Sequence, residues 1–326
     1  MTSLPRLAAL AVTASLLAGC MADAEATADG GTQEGDAPAE ITVTGPASPP
    51  SMAFLRMVDT DALDDTAIIF ERWETADQLS AAVTSGSDVV AAPLTTGASL
   101  YQKGAGLQLL NVSAWDVMGL VTNDSAVRSI EDLAGTQLHV AMRASAVDYT
   151  TQLVLEAHDL TDSVEIVYVD PLNGPEQFMA GQISSLATVE PQVTMLLGQA
   201  DGARSIVDFT EEWEGITGAD VPLPTAGTFV SAEFAEEHPE TAIEFHEAYA
   251  EAAAWVADNP GDAAALAEEH LGIPAGVVSA AIPTISWDAQ RAEEAQPAVD
   301  LYFEELFARW PDSIGGAMPD AGFYVR

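Results

Sequence analysis

Positive charge is almost missing from this chain. Its 326 residues hold 10 Lys and Arg, only one of them lysine (Lys103), against 51 Asp and Glu, giving a net charge of −41. Such a surface repels phosphate backbones and anionic lipid head groups, so no nucleic-acid partner and no electrostatic membrane docking is expected. Two causes unrelated to function account for the acidity equally well: adaptation to high salt, or a codon bias towards Ala, Asp, Glu and Val. Cysteine is nearly missing too. The single Cys20 excludes a disulfide framework, a thiolate metal cluster and a cysteine nucleophile in the folded part. The five histidines (His139, His158, His238, His246 and His270) show no metal-ligand spacing, and His238 and His246 are expected on a helix surface. No G-x-S-x-G elbow, Walker-type phosphate loop or Rossmann glycine run occurs. The sequence therefore predicts no metal, no cofactor and no catalytic residue.

What is present begins with an address. Arg6 precedes an apolar run from Leu7 to Ala18, which is short for a bilayer span and has the proportions of a signal-peptide core. The run ends in Leu17-Ala18-Gly19-Cys20, which resembles the bacterial lipobox, where the cysteine receives the lipid. Residues 1–19 are thus expected to be a lipoprotein signal peptide and Cys20 the lipidation site. Residues 20–39 are small, acidic and Gly-containing, as suits a flexible tether. No later segment has 18 uninterrupted apolar residues.

From Glu40 onward, short apolar strands alternate with amphipathic helices, the signature of an α/β architecture. Strands are predicted at Ile41–Thr44, Thr66–Phe70, Asp88–Ala92, Leu107–Asn111, Val117–Thr122, Gln137–Met142, Glu165–Val169 and Ile183–Thr188. Thr75 and Gln78 form a capping-box pattern, and Ser129–Gly135 reads as a capped helical turn. After Pro224 the chain is expected to be mostly helical. Pro239 opens one helix, Asp262 caps the next and Gly272 closes it, and a pair of helices fills Asp288–Trp310.

Five stretches carry a family resemblance: Ile41–Met52, Ser87–Thr96, Ser129–Val140 (SIEDLAGTQLHV), Pro175–Pro191 (PEQFMAGQISSLATVEP) and His238–Val256 (HPETAIEFHEAYAEAAAWV). In order and spacing they resemble the nitrate/sulfonate/taurine and thiamine-pyrimidine group of ABC-transporter solute-binding proteins, which have the type II periplasmic-binding-protein fold. The resemblance implies a two-lobed α/β fold with two chain crossings between lobes. Lobe one is then 40–121 plus 225–326, lobe two 122–224, and the crossings near Thr122-Asn123 and between Asp208 and Thr225 are hinge candidates. It further implies an extracytoplasmic, membrane-anchored monomer that binds a small polar or anionic solute between the lobes, with an ABC permease and ATPase as partners. A ligand sensor for a membrane receptor stays open as an alternative. An enzyme of the same fold is disfavoured, because the Cys-rich, His-dependent pattern of the thiamine-pyrimidine synthases is absent.

In such sheets, ligands sit beyond the carboxyl ends of the strands, against helix N-termini. Four strand-to-helix turns qualify: Ser48–Met52, Thr95–Ala98, Arg143–Ala146 and Thr188–Pro191. The candidate ligand-binding residues are therefore Ser48, Ser51, Met52, Pro93, Thr95, Thr96, Arg143, Ser145, Thr188 and Glu190, with Trp115 as a stacking surface or core residue. Arg143, the only cation at such a turn, either grips an anionic group or pairs with a surface carboxylate.

Overall fold

The computed structural model describes residues 37–326. The expected signal peptide, Cys20 and all but the end of the expected tether lie outside the described residues. The first lobe opens with β1 (Glu40–Pro46), α1 (Pro50–Asp59), β2 (Ala67–Trp73), α2 (Ala76–Thr84), β3 (Val89–Pro93), α3 (Leu94–Gln102) and β4 (Leu107–Trp115). The second holds β5 (Met118–Thr122), β6 (Gln137–Ala141), α4 (Ala146–Ala157), β7 (Glu165–Val169), α5 (Asn173–Met179), β8 (Ser185–Val189), α6 (Gln192–Gln199), β9 (Arg204–Val207) and α7 (Phe209–Thr217). The chain then returns through β10 (Pro224–Ser231), α8 (Ala232–Glu237), α9 (Pro239–Asp258), α10 (Pro260–Leu271), α11 (Ala275–Ala281), β11 (Gln290–Arg291) and α12 (Ala292–Arg309).

Two sheets result, in the orders β11-β4-β10-β3-β1-β2 and β7-β6-β8-β5-β9. In the first, β2, β1 and β3 are parallel, and β10 runs antiparallel between β3 and β4. In the second, β7, β6 and β8 are parallel, while β5 runs antiparallel to β8 and β9. This is the two-lobed α/β fold. Val89–Ala92 of β3 are buried without alternation, as a central parallel strand covered on both faces requires. Thr75 and Gln78 form the capping box at α2 with both reciprocal bonds present.

Five expectations are corrected. The segment after Pro224 begins with a strand, β10, in the middle of the first sheet. The strand Met118–Thr122 pairs in the second sheet, so the boundary drawn at 121 falls too late. Asp262 lies inside α10, whose start follows Asn259 with Pro260 in its first turn and no side-chain cap. The expected pair of helices before Trp310 is one helix, α12, which carries Pro297 in its interior. Finally, His246 is buried on α9, its Nδ1 3.3 Å from Asn111 Nδ2, and burial pushes its pKa down.

The insertion of β10 demands small residues. Gly227 pairs with Ala92 on one side and Val112 on the other, and a Cβ there runs into the Asn111 carbonyl and the Leu109 side chain. Because a backbone oxygen cannot swing aside, Gly227→Ala is expected to destabilise the protein by about 1–3 kcal/mol. Urea unfolding checks this: a midpoint equal to that of the parent refutes the tight-approach argument.

Candidate functional site

The chain leaves the first sheet at Trp115 and enters the second at Met118, then returns between Val207 and Pro224. The two crossings lie side by side. Asp116 N–H donates to the Leu223 carbonyl (3.2 Å), and the Asp116 carboxylate accepts from Leu223 N–H (3.1 Å). Asp116 adopts φ 53°, a left-handed conformation that Asp tolerates better than most residues. The first crossing thus falls at Asp116–Val117, ahead of the Thr122-Asn123 position expected.

Beyond these crossings the carboxyl edges of the two sheets meet. The β1–α1 turn supplies Ser48, Pro49 and Met52, and the β8–α6 turn supplies Pro191. Together with Ile273, Val278, Ala281 and Ile285 they enclose a cavity of about 10 Å³, roughly the space one water needs. Helix α11 packs against α6 across the same seam. Polar contacts tie the lobes there through one hydroxyl: Thr284 Oγ1 lies 3.1 Å from Glu190 Oε1 and 3.3 Å from Thr194 Oγ1, with the Ala281 carbonyl at 2.8 Å as a second acceptor for its proton. The same carboxylate accepts from Thr194 Oγ1 (3.0 Å) and Thr194 N–H (3.0 Å), and Glu190 is only 8% exposed.

The predicted residues fall into three groups. Ser48, Met52 and Glu190 lie at the seam, and Ser51 lies beneath it, fully buried, with its hydroxyl donating to the Pro46 carbonyl. Pro93, Thr95 and Thr96 form the start of α3, and Arg143 and Ser145 the start of α4; these turns are at the corresponding strand ends but do not line the cavity. Arg143 is exposed, with its guanidinium 4.3 Å from the Tyr168 ring centre. Ser145 caps α4. Thr188 is buried within β8, opposite Gly119. Trp115 resolves to core: it is 1% exposed, and its Nε1 donates to the Asp288 carbonyl (2.8 Å). It has no face left for a ligand. The residues that sequence reasoning missed are Thr194, Ile273, Val278, Ala281, Thr284 and Ile285. They belong to ordinary amphipathic helices and their ends, and only the folded chain brings α11 to α6.

Burial raises the Asp116 carboxyl above its usual range, outweighing the Leu223 and Thr210 bonds that favour its ionised form. The folded state then holds this proton more tightly than the unfolded one. Its effect on stability is absent below the ordinary carboxylate range, and stability falls as pH rises through the raised pKa. Asp116→Asn keeps the acceptor for Leu223 and removes the titration. Its melting temperature relative to the parent is therefore expected to be more favourable at pH 7 than at pH 3; an equal difference at both refutes the assignment.

A family model described as the NMT1-like family matches residues 73–270. No curated protein matches the chain in sequence. Several solved structures share its fold. An ABC transporter protein of Parabacteroides distasonis is 18% identical with a TM-score of 0.73, covering 88% of this chain and 99% of its own. The periplasmic aliphatic sulphonate-binding protein of Escherichia coli is 16% identical with a TM-score of 0.68, covering 87% and 94%. The periplasmic nitrate-binding protein of Synechocystis is 9% identical with a TM-score of 0.63, covering 85% and 84%. At these identities the likeness establishes the periplasmic-binding-protein fold.

Proposed function

The chain belongs to the NMT1-like family, and from that membership we propose that it is the extracytoplasmic solute-binding lipoprotein of an ABC importer. It binds and does not catalyse. The seam carries the reading. A cavity with room for one water lies where the strand ends of both lobes meet, so a solute enters only when the lobes part. The paired crossings at Asp116 and Leu223 supply the hinge, with lobe one near 40–117 plus 224–326 and lobe two between them. The resemblance in sequence and the names of the proteins similar in fold support solutes of the nitrate, sulfonate, taurine or thiamine-precursor type as the group to search. Delivery to a permease and its ATPase follows from the same reading, as does action as a monomer tethered through Cys20.

A protein-free small-molecule extract of the source cells, salts retained, is expected to raise the melting temperature of the purified protein. At 100 times the dissociation constant a solute stabilises by about 2.7 kcal/mol, which for a chain this long is a shift of several degrees. A flat response to the concentrated extract counts against solute capture. For the anchor, Cys20→Ala is expected to move the protein from the membrane fraction to the soluble extracytoplasmic fraction, and retention in the membrane refutes lipidation at Cys20.

A further inference from the structure

We propose that His158 is a pH-sensitive staple that fixes helix α7, the last element before the return crossing, to the end of α4. The staple closes with the ring protonated and opens as the surroundings turn alkaline. It stands apart from the solute-binding reading and needs no solute.

The geometry specifies the charge. His158 follows the last residue of α4, and its N–H donates to the Val154 carbonyl (3.2 Å). Its two ring nitrogens face carboxylates from two separate elements. Nε2 lies 2.8 Å from Glu212 Oε2 on α7, and Nδ1 lies 3.3 Å from Glu131 Oε1 in the short turn Glu131–Leu133 before β6. A neutral imidazole carries one N–H, so one of its nitrogens would turn a lone pair towards a carboxylate. Only the imidazolium donates on both sides. Neither Glu131 nor Glu212 has a Lys or Arg partner among the described residues, so this ring is the cation of the group. On its own helix, Glu156 is engaged by Arg309 (2.7 Å). The end of α4 favours the same charge, because a helix C-terminus carries partial negative charge. Hydrogen bonding to Glu212, and beyond it the charges of Glu212 and Glu131, outweigh partial desolvation and hold the His158 pKa above the usual histidine value.

The placement gives this charge something to act on. Glu212 adjoins Trp213, whose wholly buried ring packs against Tyr302 of α12 with centres 5.9 Å apart. Helix α7 thus holds lobe one through Trp213 and is held to α4 through His158. After α7 the chain turns at Gly218, in a left-handed conformation (φ 66°), and runs on to the crossing at Leu223. Deprotonation removes one N–H and sets a lone pair against a carboxylate, so α7 loses its tie to α4 while the Trp213 contact persists. The side chains of His158 and Glu212 are each 25% exposed and that of Glu131 is 63% exposed. Water therefore screens the group, and the effect is a local loosening of α7, not unfolding of the chain. Because the folded-state pKa is raised, the stabilisation is complete below the ordinary histidine value of about 6.5. It is lost as pH rises through the raised value.

Histidine ring signals of the full chain, followed by NMR from pH 5 to pH 9, test the charge, with the His158 signal assigned by its loss in His158→Gln. The expected midpoint lies above about 6.5 and falls in Glu212→Gln, more than in Glu131→Gln. A midpoint at or below that value, or one unmoved in Glu212→Gln, overturns the staple. Hydrogen exchange of α7, corrected for the intrinsic pH dependence of exchange, tests the mechanical consequence. Its protection is expected to fall several-fold between pH 6 and pH 9 in the parent, and to be low at both in His158→Gln. Equal protection at the two pH values in the parent refutes the tie to α7. Both measurements on the parent stand even if His158→Gln fails to fold, since the signal that moves in Glu212→Gln then identifies His158.

Discussion

The antiparallel return of β10 between β3 and β4 is the constraint on which the rest of the molecule depends. Lobe one is not a contiguous stretch of chain. Its central sheet closes only when residues from beyond position 223 slide between two strands laid down before position 116. That single insertion forces the chain to cross between lobes twice and places both crossings at neighbouring strand ends. The mutual bonds of Asp116 and Leu223 then join them. It also delivers the helical C-terminal part to lobe one, so that α11 and Thr284 stand opposite α6 and Glu190. Gly227 is the local condition for the insertion, since a larger residue cannot lie that close to Asn111.

An excess of carboxylates has been turned to structural use at the seam. Helix N-termini carry partial positive charge and unpaired donors. In a chain with few cations, carboxylates accept N–H groups at two helix starts: Glu190 from Thr194 of α6, and Asp148 from Ala144 just ahead of α4. Asp148 also accepts from the Tyr168 hydroxyl (3.1 Å) and from Gln152 (2.8 Å). The ring beneath Arg143 is therefore held by a carboxylate that also caps the helix behind it. This makes the α4 turn rigid.

Much of the fold was legible because its local signals agree with its packing. The Thr75–Gln78 cap, the strand Glu165–Val169 and the Gly272 stop lie where sequence places them. Where reading failed, the deciding force acts at long range. The sequence of β10, PTAGTFVS, has little apolar alternation and becomes a strand because β3 and β4 pair with it on both sides. The fate of Trp115 is decided by a carbonyl 173 positions away, and that of Glu190 by Thr284, 94 positions away. Two of the four candidate turns, Ser48–Met52 and Thr188–Pro191, do reach the seam by virtue of strand order alone. Whether their donors are free or spent is invisible without the bonds.

The two kinds of contact between lobes differ in a way that suits opening and closing. Trp213 of α7 packs against Tyr302 of α12 with ring centres 5.9 Å apart, both side chains wholly buried, and Tyr149 of α4 lies 5.2 Å from Trp310. Arg309 adds an ion pair to Glu156 (2.7 Å). Buried aromatic pairs of this sort resist separation. The seam has instead the contacts of one hydroxyl, Thr284, with Glu190 and Thr194, and a thin apolar contact, and Thr284 is exposed to water that competes for it. Motion that keeps the aromatic contact and breaks the seam must turn about α12 and the paired crossings. On the solute-binding reading, a seam this slight adds little to the stability of the closed state. A solute then needs only modest preference for the closed state to shift the balance, whereas a shift from 1:99 to 99:1 demands about 10⁴-fold. Weak self-closure is thus what allows a solute's own contacts to decide the conformation.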